Sequence, residues 1–159
     1  MAVIQMEVEI AAPPAVCFDL ARSVDAHAAS AGASGERAVA GVTRGLLNLG
    51  DEVTWRGRHF GIIQELRSRI TRFDRPRYFR DEMVRFAFRR LCHDHYFEAV
   101  SGGTRMRDLF EFTVPWGPIG RVAERAVLVS YLRRFLETRA QVLKRLAESG
   151  EAARYLNPE

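Results

Sequence analysis

Hydrophobic and polar residues alternate over the first ten positions, and this pattern predicts a half-buried strand over Val3–Ile10. Prolines 13 and 14 and a capping serine at 23 predict two short helices after it. The period of two then returns and predicts six further strands, over Glu36–Gly41, Glu52–His59, Glu65–Phe73, Tyr78–Met83, Phe88–Val100 and Arg105–Pro115. Because the breaks between them are short, we expect an antiparallel meander.

A long amphipathic helix is predicted over residues 119–148. The stretch from Arg121 to Ala147 contains no glycine or proline, and its apolar residues recur at steps of three and four. The basic residues between them, Arg139 included, are expected on the polar side of the helix. A curved sheet needs cover on its concave side and only this helix is long enough, so we expect an α+β domain with a ligand cavity between sheet and helix.

Composition narrows the class of protein. The chain has 159 residues, of which 47% are hydrophobic, and we expect one domain spanning 1–159. The formal charge of +4 is lower than expected for a dedicated nucleic-acid-binding protein. Two cysteines are too few for a disulfide framework. The N-terminal residues do not resemble a signal peptide, and no apolar run is long enough to span a membrane. We therefore expect a cytoplasmic protein, monomeric or homodimeric, with reduced thiols.

The outward-facing positions of the strands are rich in arginine. We interpret these residues as a solvated sheet face, with a site for an anionic surface or an acidic partner as the alternative. They are Arg67, Arg69, Arg72, Arg75, Arg77, Arg80, Arg85, Arg89 and Arg90.

The last two predicted strands allow side chains to be assigned to faces. A two-residue turn at Gly102-Gly103 pairs Phe97 with Asp108 and His95 with Phe110. In that register His95 and Asp108 are diagonal neighbours on the inner face. The other predicted inner residues of the two strands are Leu91, His93, Phe97, Ala99, Met106, Phe110, Phe112 and Val114, whereas Cys92, Asp94 and Tyr96 fall on the solvent face.

Polar side chains on this inner face have three interpretations. His93, His95 and Asp108 could form a buried cluster that satisfies itself, or they could anchor the polar end of a ligand in an apolar pocket. The third interpretation is a metal site, for which His59, Asp81 or Asp108 would have to supply the remaining ligands. The predicted ligand-binding surface comprises Trp55, His59, Phe79, Asp81, Met83, His93, Phe97, Met106, Phe110 and Phe112 of the sheet and Leu132 and Leu136 of the helix.

Several motifs resemble those of the START-like (SRPBCC) superfamily. They are the opening Ile10-Ala11-Ala12-Pro13-Pro14-Ala15-Val16, the segment Gly50-Asp51-Glu52-Val53-Thr54-Trp55, the hairpin His93-Asp94-His95-Tyr96-Phe97 with Gly102-Gly103-Thr104-Arg105-Met106-Arg107-Asp108, and Pro115-x-Gly117-Pro118-x-Gly120 before the last helix. The closest subgroup is that of small stand-alone bacterial cyclase/dehydrase-like proteins. The resemblance implies the helix-grip fold, in which a seven-stranded antiparallel sheet wraps around a C-terminal helix and a deep apolar cavity.

The resemblance implies binding of a lipid-, polyketide- or aromatic-like molecule, without a cofactor and without a common catalytic set. The alternative is a cyclase/dehydratase-type enzyme in which His95, oriented by Asp108, moves a proton. A further alternative is a regulatory module that binds a partner through its arginine-rich surface. No specific nucleic acid and no metal are expected.

Overall fold

A computed structural model describes residues 1–85, 88–115 and 127–156. One antiparallel sheet of seven strands, in the order β1-β7-β6-β5-β4-β3-β2, forms the main layer. Its strands are β1 Ala2–Ile10, β2 Arg37–Gly41, β3 Glu52–His59, β4 Ile62–Asp74, β5 Tyr78–Arg85, β6 Arg90–Val100 and β7 Gly103–Thr113. The helices are α1 Pro14–Ala21, α2 Val24–Ser30, α3 Val129–Glu148 and α4 Ala153–Leu156.

The predicted order of elements is confirmed, with small changes at strand ends. Strand β4 begins three residues earlier than predicted because β3 and β4 are joined by a tight turn, with His59 opposite Ile62. The two residues of this turn, Phe60 and Gly61, have φ values of 52° and 76°. Both lie in the left-handed region, as a type I′ hairpin turn requires.

The predicted register of the β6–β7 hairpin is wrong by two residues. The turn lies at Ser101-Gly102, so Val100 pairs with Gly103 and His95 lies directly opposite Asp108. β1 approaches closely at this point, and a Cβ atom on Gly103 would lie 2.0 Å from the carbonyl oxygen of Ile10, so only glycine fits in the strand there. Gly103 therefore belongs to the strand, not to the turn. An even shift leaves every side chain on its predicted face.

The long helix α3 ends at Glu148 as predicted, and Gly150 beyond it has a φ of 78°. Residues 119–126 of the predicted helix, and the Gly117-Pro118-x-Gly120 motif, lie outside the described residues. The helix packs on β1, α1 and α2, and its most buried side chains are Leu136, Ala140 and Leu146. Within the described residues, no helix is both long and apolar enough to cross a membrane.

The outer face of the sheet carries ion pairs. Glu52 accepts hydrogen bonds from Arg67 and Arg69, and Arg56 pairs with Glu65. Two residues predicted on this solvent face, Cys92 and Asp94, are in fact buried. Asp94 is covered because Tyr78 and Arg80 on β5 donate hydrogen bonds to its carboxylate.

Candidate functional site

All four histidines of the chain lie on the inner side of the fold, between the sheet and α3. They belong to two groups of polar side chains. The first, called here the His95 cluster, consists of Asp81, His93, His95 and Asp108. The second, called the His27 chain, consists of Arg139, His27, Glu36, His59 and Tyr131.

The His95 cluster is built by strand register. His95 on β6 faces Asp108 on β7 directly, and its Nδ1 lies 2.7 Å from Asp108 Oδ1. Asp81 on β5 is opposite His93, which puts Asp81 Oδ2 at 3.1 Å from His95 Nε2. The Phe79 ring stacks on the His95 imidazole with centroids 4.3 Å apart. The two carboxylates therefore flank an imidazole that is held flat against an aromatic ring.

His95 is a buried cation. Burial alone lowers the pKa of its imidazole, but the charge of Asp108 and then the hydrogen bonds to Asp108 and Asp81 outweigh burial and raise the pKa to about 9. Burial likewise opposes ionisation of Asp108, yet the His95 charge holds the pKa of that carboxyl far below its usual range. At neutral pH both N–H groups of His95 are donated to carboxylates.

His93 is the unsatisfied member of the cluster. Its ring lies 3.8 Å from that of His95, and its pKa is lowered first by burial and then by the His95 charge, so its imidazole is neutral at pH 7. Its Nε2 is buried 3.5 Å from Asp108 Oδ1 without a hydrogen bond of acceptable geometry. A buried ring nitrogen without a partner is costly and marks a place where a ligand could bind.

The His27 chain has a fixed direction of hydrogen bonding. Arg139 can only donate, so His27 Nδ1 accepts its bond at 2.6 Å and His27 Nε2–H donates to Glu36 at 3.0 Å. Burial and then the Arg139 charge lower the pKa of His27 to about 4. The second oxygen of Glu36 accepts from His59 Nε2, and His59 Nδ1 lies 2.7 Å from the Tyr131 hydroxyl. This chain ties α2, β3 and α3 together.

Four members of the His27 chain were not among the predicted site residues: His27, Glu36, Tyr131 and Arg139. Arg139 was expected on the polar side of the helix, and that expectation is wrong because its long side chain reaches inward to His27. Its position was the available signal, since it lies four residues after Phe135 and four before Leu143, inside the apolar stripe. His27 and Glu36 carry no such signal, because their partners come from distant elements.

The interior contains small cavities. One of about 40 Å³ lies beside the His95 cluster, and one of about 50 Å³ lies between β1, β7 and α3. Both are far below the roughly 300–1,000 Å³ of a typical ligand pocket. Neither of these two is the deep apolar cavity that the resemblance implied. Between the described parts of the sheet and α3, the two polar groups and the aromatic side chains occupy much of the space.

The predicted site residues fall into four structural sets. Five line the first cavity, namely His93, His95, Met106, Asp108 and Leu136. Five aromatic residues are packed into the core, namely Trp55, Phe79, Phe97, Phe110 and Phe112. The half-buried Met83 and Leu132 pack beside that core. His59 and Asp81 belong to the His27 chain and the His95 cluster respectively.

Solved structures with this fold are numerous and distant in sequence. TTHA0849 from Thermus thermophilus superimposes with a TM-score of 0.74 at 15% identity, over 90% of this chain and 94% of that one. CV1439 from Chromobacterium violaceum gives 0.73 at 13% identity, over 93% and 99%. The major latex-like protein 151 from Panax ginseng gives 0.65 at 13% identity, over 92% and 97%. These similarities identify the helix-grip fold.

The family is identified by sequence. No curated protein matches the chain. The family model described as polyketide cyclase / dehydrase and lipid transport matches residues 1–148, which is nearly the whole sequence. The chain therefore belongs to this family of the START-like (SRPBCC) superfamily, as the hairpin and the opening motif indicated.

Proposed function

We propose that the protein binds an apolar small molecule with one polar group, in the space between the inner face of the sheet and α3. The observation that carries the proposal is the mixed lining of the first cavity. Leu20, Leu136 and Leu143 supply apolar surface, whereas His93, His95 and Asp108 supply polar groups at one end. A few polar groups in an apolar surround are the usual composition of a small-molecule site.

Binding requires the cavity to enlarge. At about 40 Å³ it has room for a few water molecules and not for a lipid or a polyketide. Within the described residues, α3 packs on β1, α1 and α2, and its Tyr131 and Arg139 are hydrogen-bonded to His59 of β3 and His27 of α2. We infer that a ligand enters by outward movement of α3, where Ala140 lines both cavities.

The experiment has two parts. Native mass spectrometry of freshly purified protein should detect a co-purified small molecule or, after its removal, saturable binding of the fluorescent fatty acid cis-parinaric acid. Ala140→Leu should weaken that binding about tenfold by filling space that both cavities border, whereas Thr138→Leu, on the exposed side of the same helix, should leave it within about twofold. No bound molecule together with no parinaric acid binding, or equal effects of the two variants, would refute the proposal.

The second candidate function is a cyclase/dehydratase-type reaction. One observation favours it: His95 is a protonated acid with a raised pKa of about 9 inside a closed site. Against it, both N–H groups of His95 are already donated to Asp108 and Asp81, so proton transfer to a substrate requires Asp81 to be displaced. In an enzyme, His95→Asn or Asp108→Asn would abolish turnover of a polyketide substrate while largely sparing its affinity. A binding protein would show no turnover to lose.

Binding through the arginine-rich surface is the less supported alternative. Several of these arginines are engaged in ion pairs, including Arg67, Arg69 and Arg80, which reduces the field available to an acidic partner.

The proposal includes a cytoplasmic location and a monomer or homodimer. Two free, buried cysteines, Cys17 and Cys92, support a reducing compartment.

A further inference from the structure

We propose that Asp81, His93 and His95 form a binding site for a first-row divalent transition-metal ion such as Zn²⁺, with Asp108 as the hydrogen-bond acceptor behind both histidines. This site shares His93, His95 and Asp108 with the lining of the first cavity, but its test uses metal ions alone and does not depend on the apolar ligand. Among the residues that the structure describes, this is the one group of three or more histidine, cysteine or acidic side chains whose ligand atoms lie close enough to share an ion.

The distances fit such an ion with small adjustments. One ligand atom from each residue lies within 4.8 Å of the other two. Asp81 Oδ2 is 3.1 Å from His95 Nε2 and 3.9 Å from His93 Nδ1. Ligand atoms about 2.1 Å from a metal are separated by roughly 3.0–3.4 Å for angles from 90° to tetrahedral. Small rotations of these side chains would therefore bring the three ligand atoms to the separations that a shared metal ion requires.

The backbone that holds the three ligands is regular. Asp81 is directly opposite His93 in the β5–β6 pair, and His95 lies two residues further along β6 on the same face. Side chains at alternate positions of paired strands project in the same direction, so the three groups converge without a loop. A site on adjacent strands is positioned before the ion arrives, which reduces the ordering needed for binding.

Asp108 supplies the supporting hydrogen bonds. Its Oδ1 lies 2.7 Å from His95 Nδ1 and 3.5 Å from His93 Nε2, which are the nitrogens on the far side of each ring from Asp81. When a metal ion binds, the proton on His95 Nε2 is released to solvent, while His95 Nδ1 and His93 Nε2 carry protons toward Asp108. His95 Nε2 and His93 Nδ1 then have lone pairs toward the ion and Asp81. A carboxylate that receives the second N–H of a metal-bound histidine is a regular feature of metal sites.

Two further observations point to a cation. His93 Nε2 is buried and has no hydrogen-bond partner, and closure of the ring toward an ion would let it donate fully to Asp108. Two carboxylates also face two imidazoles here, so a divalent ion with neutral histidines balances the local charge. Two nitrogens and one oxygen are donors that suit Zn²⁺, Fe²⁺, Ni²⁺ or Cu²⁺ better than Mg²⁺ or Ca²⁺.

The first cavity lies beside the two histidines, and its volume of about 40 Å³ leaves room for water at the remaining coordination positions. Three protein ligands with an open position are the arrangement of metal sites that bind an exchangeable ligand.

The test uses the full chain after treatment with a chelator. Zn²⁺ alone is titrated by calorimetry, and Co²⁺ alone by its visible absorption.

We expect one ion per chain. Asp81→Asn and His95→Gln should each weaken Zn²⁺ binding at least about tenfold, and Asp108→Asn should weaken it by about 10–100-fold. Glu82→Gln is the matched control, because Glu82 follows Asp81 on β5 and projects from the other face. It should bind Zn²⁺ like the wild type.

A measurement on the wild-type protein keeps the proposal testable even if a variant fails to fold. ¹⁵N NMR of the histidine side chains should show Zn²⁺-dependent shifts at His93 Nδ1 and His95 Nε2. Absence of binding at 100-fold excess of Zn²⁺ would overturn the proposal. Equal binding by Asp81→Asn and Glu82→Gln, or shifts at His27 and His59 instead, would do the same.

Discussion

The imidazole of His27 lies flat on the indole of Trp55, with ring centroids 3.6 Å apart and planes within 12° of parallel. Burial and the Arg139 charge hold this ring in its neutral form, with Nδ1 accepting from Arg139 and Nε2–H donating to Glu36. Protonation would remove the acceptor and place a second cation beside the guanidinium. The contact between α2 and β3 is thereby linked to pH.

The first prediction is that the protein loses stability as pH falls from about 6.5 to about 4. The folded pKa of His27 is lowered to about 4, so the unfolded chain binds a proton there that the folded chain does not. This site alone should reduce the free energy of unfolding by about 3 kcal/mol across that window. Urea denaturation at several pH values should show a shallower pH dependence for His27→Gln than for wild type; equal slopes would contradict the assignment.

Arg139→Met should destabilise the protein by about 1–3 kcal/mol, because it leaves His27 Nδ1 without its donor in a buried setting. Arg134→Met, at an exposed position of the same helix, is the control and should change stability by less than about 0.5 kcal/mol. Thermal and urea unfolding of both variants measure the difference. If the two variants behave alike, Arg139 does not act from the inner side of α3.

Asp108→Asn should cost about 3 kcal/mol of unfolding free energy. The substitution leaves the buried His95 cation with Asp81 as its one remaining carboxylate. Asp74→Asn removes a carboxylate from a half-exposed pair with Arg77 and should cost less than about 1 kcal/mol. Urea titrations at pH 7 provide the comparison, and a small effect of Asp108→Asn would argue that water screens the cluster.

Gly103→Ala should destabilise by several kcal/mol, about 3 or more, since the added methyl group would overlap the Ile10 carbonyl oxygen. Ser101→Ala, in the adjoining turn, should be tolerated within about 1 kcal/mol. Stability to urea is the readout, and near-equal values would mean that β1 and β7 separate easily at this end.

The sequence was informative where contacts are local. The period of two located the strands, and alternation kept His93, His95 and Asp108 on the inner face even though the hairpin pairing was wrong by two residues. It was uninformative where a contact joins distant elements. Nothing local to His27 indicates that it meets Arg139 of α3, 112 residues later, since tertiary packing decides that.

Arg139 illustrates a different limit. The periodicity of the sequence puts Arg139 near the apolar stripe of α3, whereas its positive charge favours the solvent side. An arginine side chain is long enough to place its guanidinium group on either side of the helix. The size of the cavity also cannot be predicted from the sequence, because it depends on the rotamers of the large aromatic and polar residues in the interior. The family implied a deep cavity, and the described interior is instead nearly filled.

The close approach of Gly103 to Ile10 has a consequence for the chemistry of the interior. A hairpin that slides by two residues buries the same side chains, so hydrophobic packing alone distinguishes poorly between the two alignments. In one alignment His95 meets a phenylalanine across the ladder, and in the other it meets a carboxylate. A glycine at position 103 thus permits the alignment in which this histidine faces a carboxylate and is a cation.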